Sequence, residues 1–232
     1  MSSEIAFVLF VASVIVLGVI VPKWLQLRRA EFIRTYRWPR GLLDRLEKHH
    51  PGFQRKDSAL VSRGLRQFFL AYLMSGKRYV SMPSQVADDL WHEFILYTRE
   101  YDAFCRRAFG GFLHHAPAVV LSEHRKSNEG LRRVWWYCCK YENIDPVSPT
   151  RLPLLFALDS KLNIANGFVY HPDCEALRKN GSGGAAHCGG DFADSSVDGS
   201  TSGFGDGGSD GSGHGGDGGG DGGGGGGCGG GD

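Results

Sequence analysis

Residues 83–111 read PSQVADDLWHEFILYTREYDAFCRRAFGG, and the folding of this stretch decides the architecture of the chain. Pro83-Ser84 is a helix start, with serine free to cap the first backbone N–H groups, and Gly110-Gly111 is a stop. Between them Val86, Leu90, Trp91, Phe94, Thr98, Tyr101, Cys105 and Ala108 recur close to every 3.6 residues. No glycine or proline interrupts residues 85–109. The spacing therefore predicts one long helix over 85–109 with a single apolar stripe.

Helical signals continue on both sides. Upstream, Asp57-Ser58 can cap an amphipathic run with Leu60, Leu65, Phe68, Phe69, Tyr72 and Leu73 that stops at Gly76, and a short helix over Leu42–His49 is closed by Pro51. Downstream of a loop at 112–117, Ser127 can cap a helix bearing Leu131, Val134, Trp135 and Cys138, and residues 152–158 suit a short buried helix. Asn166-Gly167 lies between residues 162–164 and 168–170, which is a hairpin signal too short to build a sheet. The expected class is mainly α, with a helical domain over 41–178 and a possible small β-hairpin. Arg132-Arg133 beside Trp135-Trp136-Tyr137 could suggest a nucleic-acid patch, but adjacent aromatics on a helix point in different directions. Core packing accounts for them, and no nucleic-acid partner is expected. The chain also lacks a phosphate-cradling loop, a dinucleotide fingerprint and a nucleophile elbow.

Residues 5–21 contain no charged side chain. With Pro22 they make a transmembrane helix over residues 5–22, since the run reaches about 26 Å at 1.5 Å per residue. Residues 1–4 hold only Glu4, whereas the basic juxtamembrane segment 23–40 holds Lys23, Arg28, Arg29, Arg34, Arg37 and Arg40. The positive-inside bias then leaves a short N-terminus outside and the body in the cytoplasm, at the inner membrane. Lys23, Arg28 and Arg29 are expected at lipid headgroups, and the lipid bilayer is the expected partner. The six cysteines, Cys105, Cys138, Cys139, Cys174, Cys188 and Cys228, form no C-x-x-C pair and fit a reducing compartment.

The last 52 residues differ from the rest. Residues 181–232 hold 26 of the 35 glycines, eight aspartates and no lysine or arginine, so a tail at −8 follows a body at +9. Such a stretch cannot bury enough apolar surface to offset its ordering entropy, and 179–232 is expected to be a disordered Gly/Asp-rich tail. Calcium-binding repeats would need a large apolar residue in each unit, and after Phe204 there is none. The opposed charges suggest a tail that screens basic surface electrostatically.

The run over residues 82–96, followed by Thr98, Tyr101, Phe104-Cys105, Phe109-Gly110 and Leu113-His114-His115, resembles the glycine-rich domain-containing protein-like family, in particular its bacterial members with an N-terminal membrane anchor. The likeness spans about residues 35–175. It places Asp88, Trp91, His92, Tyr101, Cys105 and His114 or His115 in one candidate functional cluster. The resemblance implies no activity. Plant-type members resemble Trp-His-x-His, and Phe94 stands at the second histidine position here.

Spacing limits what this cluster can do. Asp88 and His92 are i and i+4 and share a helix face. On one straight helix Cys105 lies about 19.5 Å of rise from His92, which removes a His92–Cys105 pair. A zinc or iron site would draw on Asp88, His92, His114 and His115. Phe109 to His92 is about 25 Å along a helix, however, while five extended loop residues reach about 18 Å. His92 is therefore expected to be a buried structural histidine, with no cofactor predicted unless the helix ends early or bends. Cys105 with His114 or His115 could form a nucleophilic dyad across the glycine turn, but no oxyanion device accompanies it. The leading expectation is a membrane-anchored helical domain that binds or scaffolds, with a possible protein partner. The alternative is a membrane-tethered metal-binding protein or enzyme centred on this cluster. The sequence decides neither catalysis nor a substrate.

Overall fold

The computed structural model describes residues 3–115, 126–172, 187–188 and 192. Seven helices are found among them: α1 Ser3–Thr35, α2 Leu42–His49, α3 Arg55–Met74, α4 Gln85–Leu96, α5 Thr98–Phe109, α6 Lys126–Tyr141 and α7 Leu154–Lys161. α3 is the hub and packs against α1, α2, α4, α6 and α7. Its second half is buried almost without interruption, with Leu65, Phe68, Phe69, Ala71 and Leu73 in the core. Gly64 lets α7 approach closely, because a Cβ there would stand 2.5 Å from Leu158 Cδ1. The start of α3 lies slightly upstream of the expected Asp57-Ser58 cap. Gln54 is the cap, and Asp57 completes a capping box by accepting the Gln54 N–H at 2.8 Å.

The predicted single helix over 85–109 is two helices. Tyr97 leaves helical geometry (φ −82°, ψ 63°), and α5 begins at the next residue. Trp91 Nε1 donates to Tyr101 Oη at 3.1 Å, and the Phe94 and Phe104 rings lie 5.4 Å apart. Each pair is ten residues apart, which a straight helix would separate by about 15 Å. The chain turns so that both apolar halves close on one aromatic cluster, and Tyr97 is held outside it by its hydroxyl on Arg40 O and by Arg45 over its ring. Of the predicted stripe, Thr98 alone is exposed.

The expected hairpin does not form. Asn166-Gly167 does turn, with Gly167 N donating to Ile164 O at 3.0 Å, but Phe168 N donates to Asp159 rather than to a facing strand. Two short strands, β1 Tyr170–His171 and β2 His187–Cys188, pair in parallel instead. Apart from β2 and Phe192, the expected tail over 179–232 lies outside the described residues, as do residues 1–2 and Cys174 and Cys228.

The expected transmembrane helix over 5–22 must also be revised. Among the described residues no helix is long and apolar enough to cross a membrane. The uncharged run over residues 5–21 is 17 residues long, short of the roughly 20 a span needs, and Lys23, Arg28 and Arg29 follow it. α1 is one continuous helix across Pro22. Its C-terminal part, expected as a basic juxtamembrane segment, enters the body. Ala30 and Ile33 are fully buried, and Phe32 and Tyr36 stack on Phe104. Its N-terminal half packs on nothing described: Phe7, Val8, Phe10, Val14, Ile15, Val16 and Leu17 are all more than half exposed.

Two carboxylates from distant parts of the chain hold helix starts in place. Asp159, 3% exposed, accepts from Ser84 Oγ (2.7 Å), Gln85 N (2.7 Å), Val86 N (3.2 Å) and Phe168 N (2.9 Å). It thereby satisfies donors that the first turn of α4 leaves free and places negative charge where the helix favours it. Glu142 does the same for α7, accepting from Leu154 N at 2.6 Å and Gln67 Nε2 at 2.8 Å while pairing with Arg151. The Gln67 carbonyl takes the next donor, Leu155 N, at 3.1 Å. Burial alone would raise the Glu142 carboxyl, but the Leu154 N–H, Arg151 and Gln67 together hold it below its ordinary value.

Two outcomes follow. Asp159→Ala leaves several buried donors unpaired and should destabilise the protein by about 2–4 kcal/mol in urea melts, with Asp159→Asn recovering part of the loss. A carboxyl whose folded pKa is depressed contributes stability that is present above its unfolded value, about 4.3, and is lost as pH falls through the folded value. Glu142→Gln should therefore be less stable than wild type at pH 7 and lose less stability on acidification. Identical pH profiles from urea melts would show that Glu142 does not act as an ionised cap.

Candidate metal centre

The corner at Tyr97 governs where the candidate residues end up. α5 folds back on α4, the αL residue Gly110 (φ 78°) ends α5, and the chain then returns along α5's own flank. Tyr101 Oη donates to Leu113 O at 2.6 Å while accepting from Trp91, so α4, α5 and the returning loop are linked through one buried hydroxyl. Two residues later His115 lies against α4. A straight 85–109 strains a site of these residues, and the corner at Tyr97 removes that strain.

Asp88, in the first turn of α4, is the centre of the cluster. Its Oδ1 lies 2.9 Å from His115 Nε2, and its Oδ2 lies 3.7 Å from His92 Nδ1. One ligand atom from each of Asp88, His92 and His115 falls within 4.8 Å of the others. The His115 ring is fixed by the Trp91 indole (4.5 Å, edge-to-face) and by the His92 ring (4.3 Å). His115 is largely buried at 14% side-chain exposure, whereas His92, expected to be buried, faces solvent at 52% because it lies on the outer face of α4. The cluster is thus anchored on one side and accessible on the other.

The other candidates separate from it. His114 is exposed and packs on Phe112 at 4.8 Å, so of the two adjacent histidines His115 alone joins Asp88. Trp91 and Tyr101 are buried supports. Cys105 is buried beside Tyr101 and the Leu113 main chain; burial pushes its thiol up, with hydrogen bonds from those two neighbours opposing. Burial also raises Cys138 strongly and pushes Cys139 up to about 12, the latter reinforced by Glu142 and Asp145. These three thiols therefore stay protonated near neutral pH, which suits core packing better than nucleophilic attack. Of the expected headgroup residues, Lys23 and Arg28 are exposed, with Arg28 over the Trp24 ring at 4.8 Å. Arg29 instead turns inward and donates to Phe109 O at 3.3 Å.

Asp89 was not singled out from the sequence, yet it pairs with His50 at 2.9 Å, and neighbouring Glu93 meets Arg45 and His49. This ladder ties α2 to the face of α4 next to the Asp88–His92 face. The adjacent pair Asp88-Asp89 was the available signal, since neighbours on a helix serve neighbouring faces. An open depression of about 590 Å³ lined by His50, Phe53, Lys56, Lys161 and Ile164 contains none of Asp88, His92 and His115.

No curated protein and no solved structure matches the chain. A family model does match, described as UCP032817-like and covering residues 28–192. This corrects the resemblance drawn from residues 82–115 to the glycine-rich domain-containing protein-like family, of which no match is found. The matched span begins within α1 and takes in α2 through β2, so it contains the Asp88 cluster and excludes the most glycine-dense part of the tail. By this match over well more than half of its length, the chain belongs to the UCP032817-like family.

Proposed function

We propose that the helical body is a metal-binding module in which Asp88, His92 and His115 hold one divalent transition ion, zinc or iron. The observation that carries this reading is the convergence of one carboxylate and two imidazoles from α4 and the loop after α5 within 4.8 Å. Two histidines and one carboxylate are a donor set that both zinc and non-haem iron accept, with remaining positions open to water or substrate. Donors about 2.0–2.2 Å from an ion lie roughly 3–3.5 Å from one another, and the separations of the two Asp88 oxygens from His115 and His92, 2.9 and 3.7 Å, bracket that range. A bound ion would supply Lewis acidity at a solvent-facing position. Asp88 orients both imidazoles, and Trp91 shields one side of His115.

A second reading has its own support. We propose that the N-terminal half of α1 lies in a lipid bilayer, with the basic flank and the body on the cytoplasmic side. Support comes from the exposed apolar side chains between Phe7 and Val21 and from Trp24 with Arg28 stacked over it, a pairing suited to the headgroup level.

Elemental analysis of the purified full-length chain should find close to one equivalent of zinc or iron. His92→Ala and His115→Ala should each weaken affinity by about 100-fold or more, while His114→Ala leaves it unchanged. A metal-free wild-type protein whose melting ignores both chelator and added ion would overturn the metal reading. In vesicle flotation the full chain should rise with lipid and resist alkaline extraction; recovery in the soluble fraction would overturn the lipid reading.

A further inference from the structure

The point where α1 leaves the body brings together basic residues that are far apart in sequence. Gln26 Nε2 donates to Leu73 O at the end of α3 (3.5 Å), and Arg29 Nη1 and Lys77 Nζ both donate to Phe109 O at the end of α5 (3.3 Å each). Phe109 also packs edge-on against Tyr72 at 5.0 Å. The C-terminal ends of α3 and α5 therefore meet α1 at one level, just past its apolar half. Arg107 is drawn to the same junction, over the Phe32 ring at 4.4 Å, and Arg78 follows Lys77 into solvent.

We infer that Lys23, Arg28, Arg29, Lys77, Arg78 and Arg107 form a basic collar around α1 that seats the body on an anionic lipid surface. This deepens the lipid reading above and rests on it. Charge complementarity identifies the occupant. All six are cationic, and all but Arg29 are exposed. The carboxylates on the adjoining helical turns are already engaged, Glu31 with Arg34 and Asp102 with Arg106. Distance supports the same occupant. Arg29 lies eight residues past Val21, about 12 Å along the helix, so side chains at this level reach phosphates bordering the apolar layer within roughly one Debye length. Lys77 and Arg29 have a second duty, since two cations on the free carbonyl of Phe109 complement the negative end of α5. Arg29, Lys77 and Arg107 are therefore held by the body's own packing rather than borne on a loose arm, so the collar sets the body's orientation as well as its affinity.

The test uses the full chain distributed between neutral phosphatidylcholine vesicles and vesicles containing roughly a third phosphatidylglycerol. Wild type should favour the anionic vesicles by about tenfold or more at low ionic strength, and the preference should fall towards unity at roughly 1 M salt. Lys23→Glu with Arg78→Glu, both exposed, should reduce the preference about tenfold or more with melting unchanged, whereas Lys161→Glu on α7 should not alter it. Equal distribution of wild type at low salt overturns the collar while leaving lipid insertion standing. An anionic preference that survives the double reversal also overturns it. Failure to associate with either vesicle overturns both the collar and the lipid reading. Should the double variant misfold, the salt dependence of the wild-type distribution still decides the matter.

Discussion

The relay from Trp91 Nε1 through Tyr101 Oη to Leu113 O is the interaction on which the rest of the site depends. A buried phenol that both accepts and donates satisfies two groups that would otherwise be costly to leave unpaired in the core. Because the two groups come from α4 and from the chain beyond α5, the bonds can form only if α5 folds back. The corner at Tyr97 is thus stabilised by what it brings together: the hydrogen-bonded pair, and the packing of Phe94 against both Tyr101 and Phe104. Burial of Tyr101 also raises its hydroxyl well above the ordinary tyrosine range, with the Cys105 thiol nearby adding to the effect. The proton the relay needs is therefore retained across the physiological range.

A second layer of order comes from helix starts held by remote side chains. Short helices such as α4 and α7 are marginal alone, and each leaves backbone donors free at its first turn. Asp159 and Glu142 supply acceptors from other elements, so the two starts become tertiary contacts. For α4 this has a direct bearing on chemistry. Asp88 lies one turn into the helix that Asp159 fixes, so the position of the central carboxylate of the cluster is set from α7. The neighbouring ladder of Asp89 with His50 and Glu93 with Arg45 secures the same helix from α2.

Much of this was legible in the residues. The punctuation at Pro51, Gly76, Ser84 and Gly110 delimits real helices, α2 matches its expected bounds, and nearly all of the predicted α4–α5 stripe is core. What escaped was the corner. Residues 85–109 contain no glycine or proline, and the 3.6-residue period runs through Tyr97 in phase, so local sequence carries no signal of a turn that long-range pairing imposes. The error propagated, because a straight helix made His115 unable to reach Asp88 and left His114 and His115 equivalent. The hairpin expectation failed for a related reason. Asn166-Gly167 encodes the turn, but the Phe168 N–H finds its acceptor in Asp159, which sequence proximity cannot reveal.

The Asp88 cluster also bears on why the corner would be kept. An Asp–His hydrogen bond needs only one imidazole, and His115 alone supplies it at 2.9 Å. The second imidazole, an i+4 neighbour of Asp88 on α4, stacks on the first at 4.3 Å while leaving half its surface in water. Under the metal reading proposed above, the anchored ring would supply a rigid side that reduces the entropy of binding and the open ring an accessible side through which an ion arrives. The same corner that buries Phe94 and Tyr101 presents this arrangement at the surface, so the core packing and the Asp88 cluster both follow from a single turn of the chain.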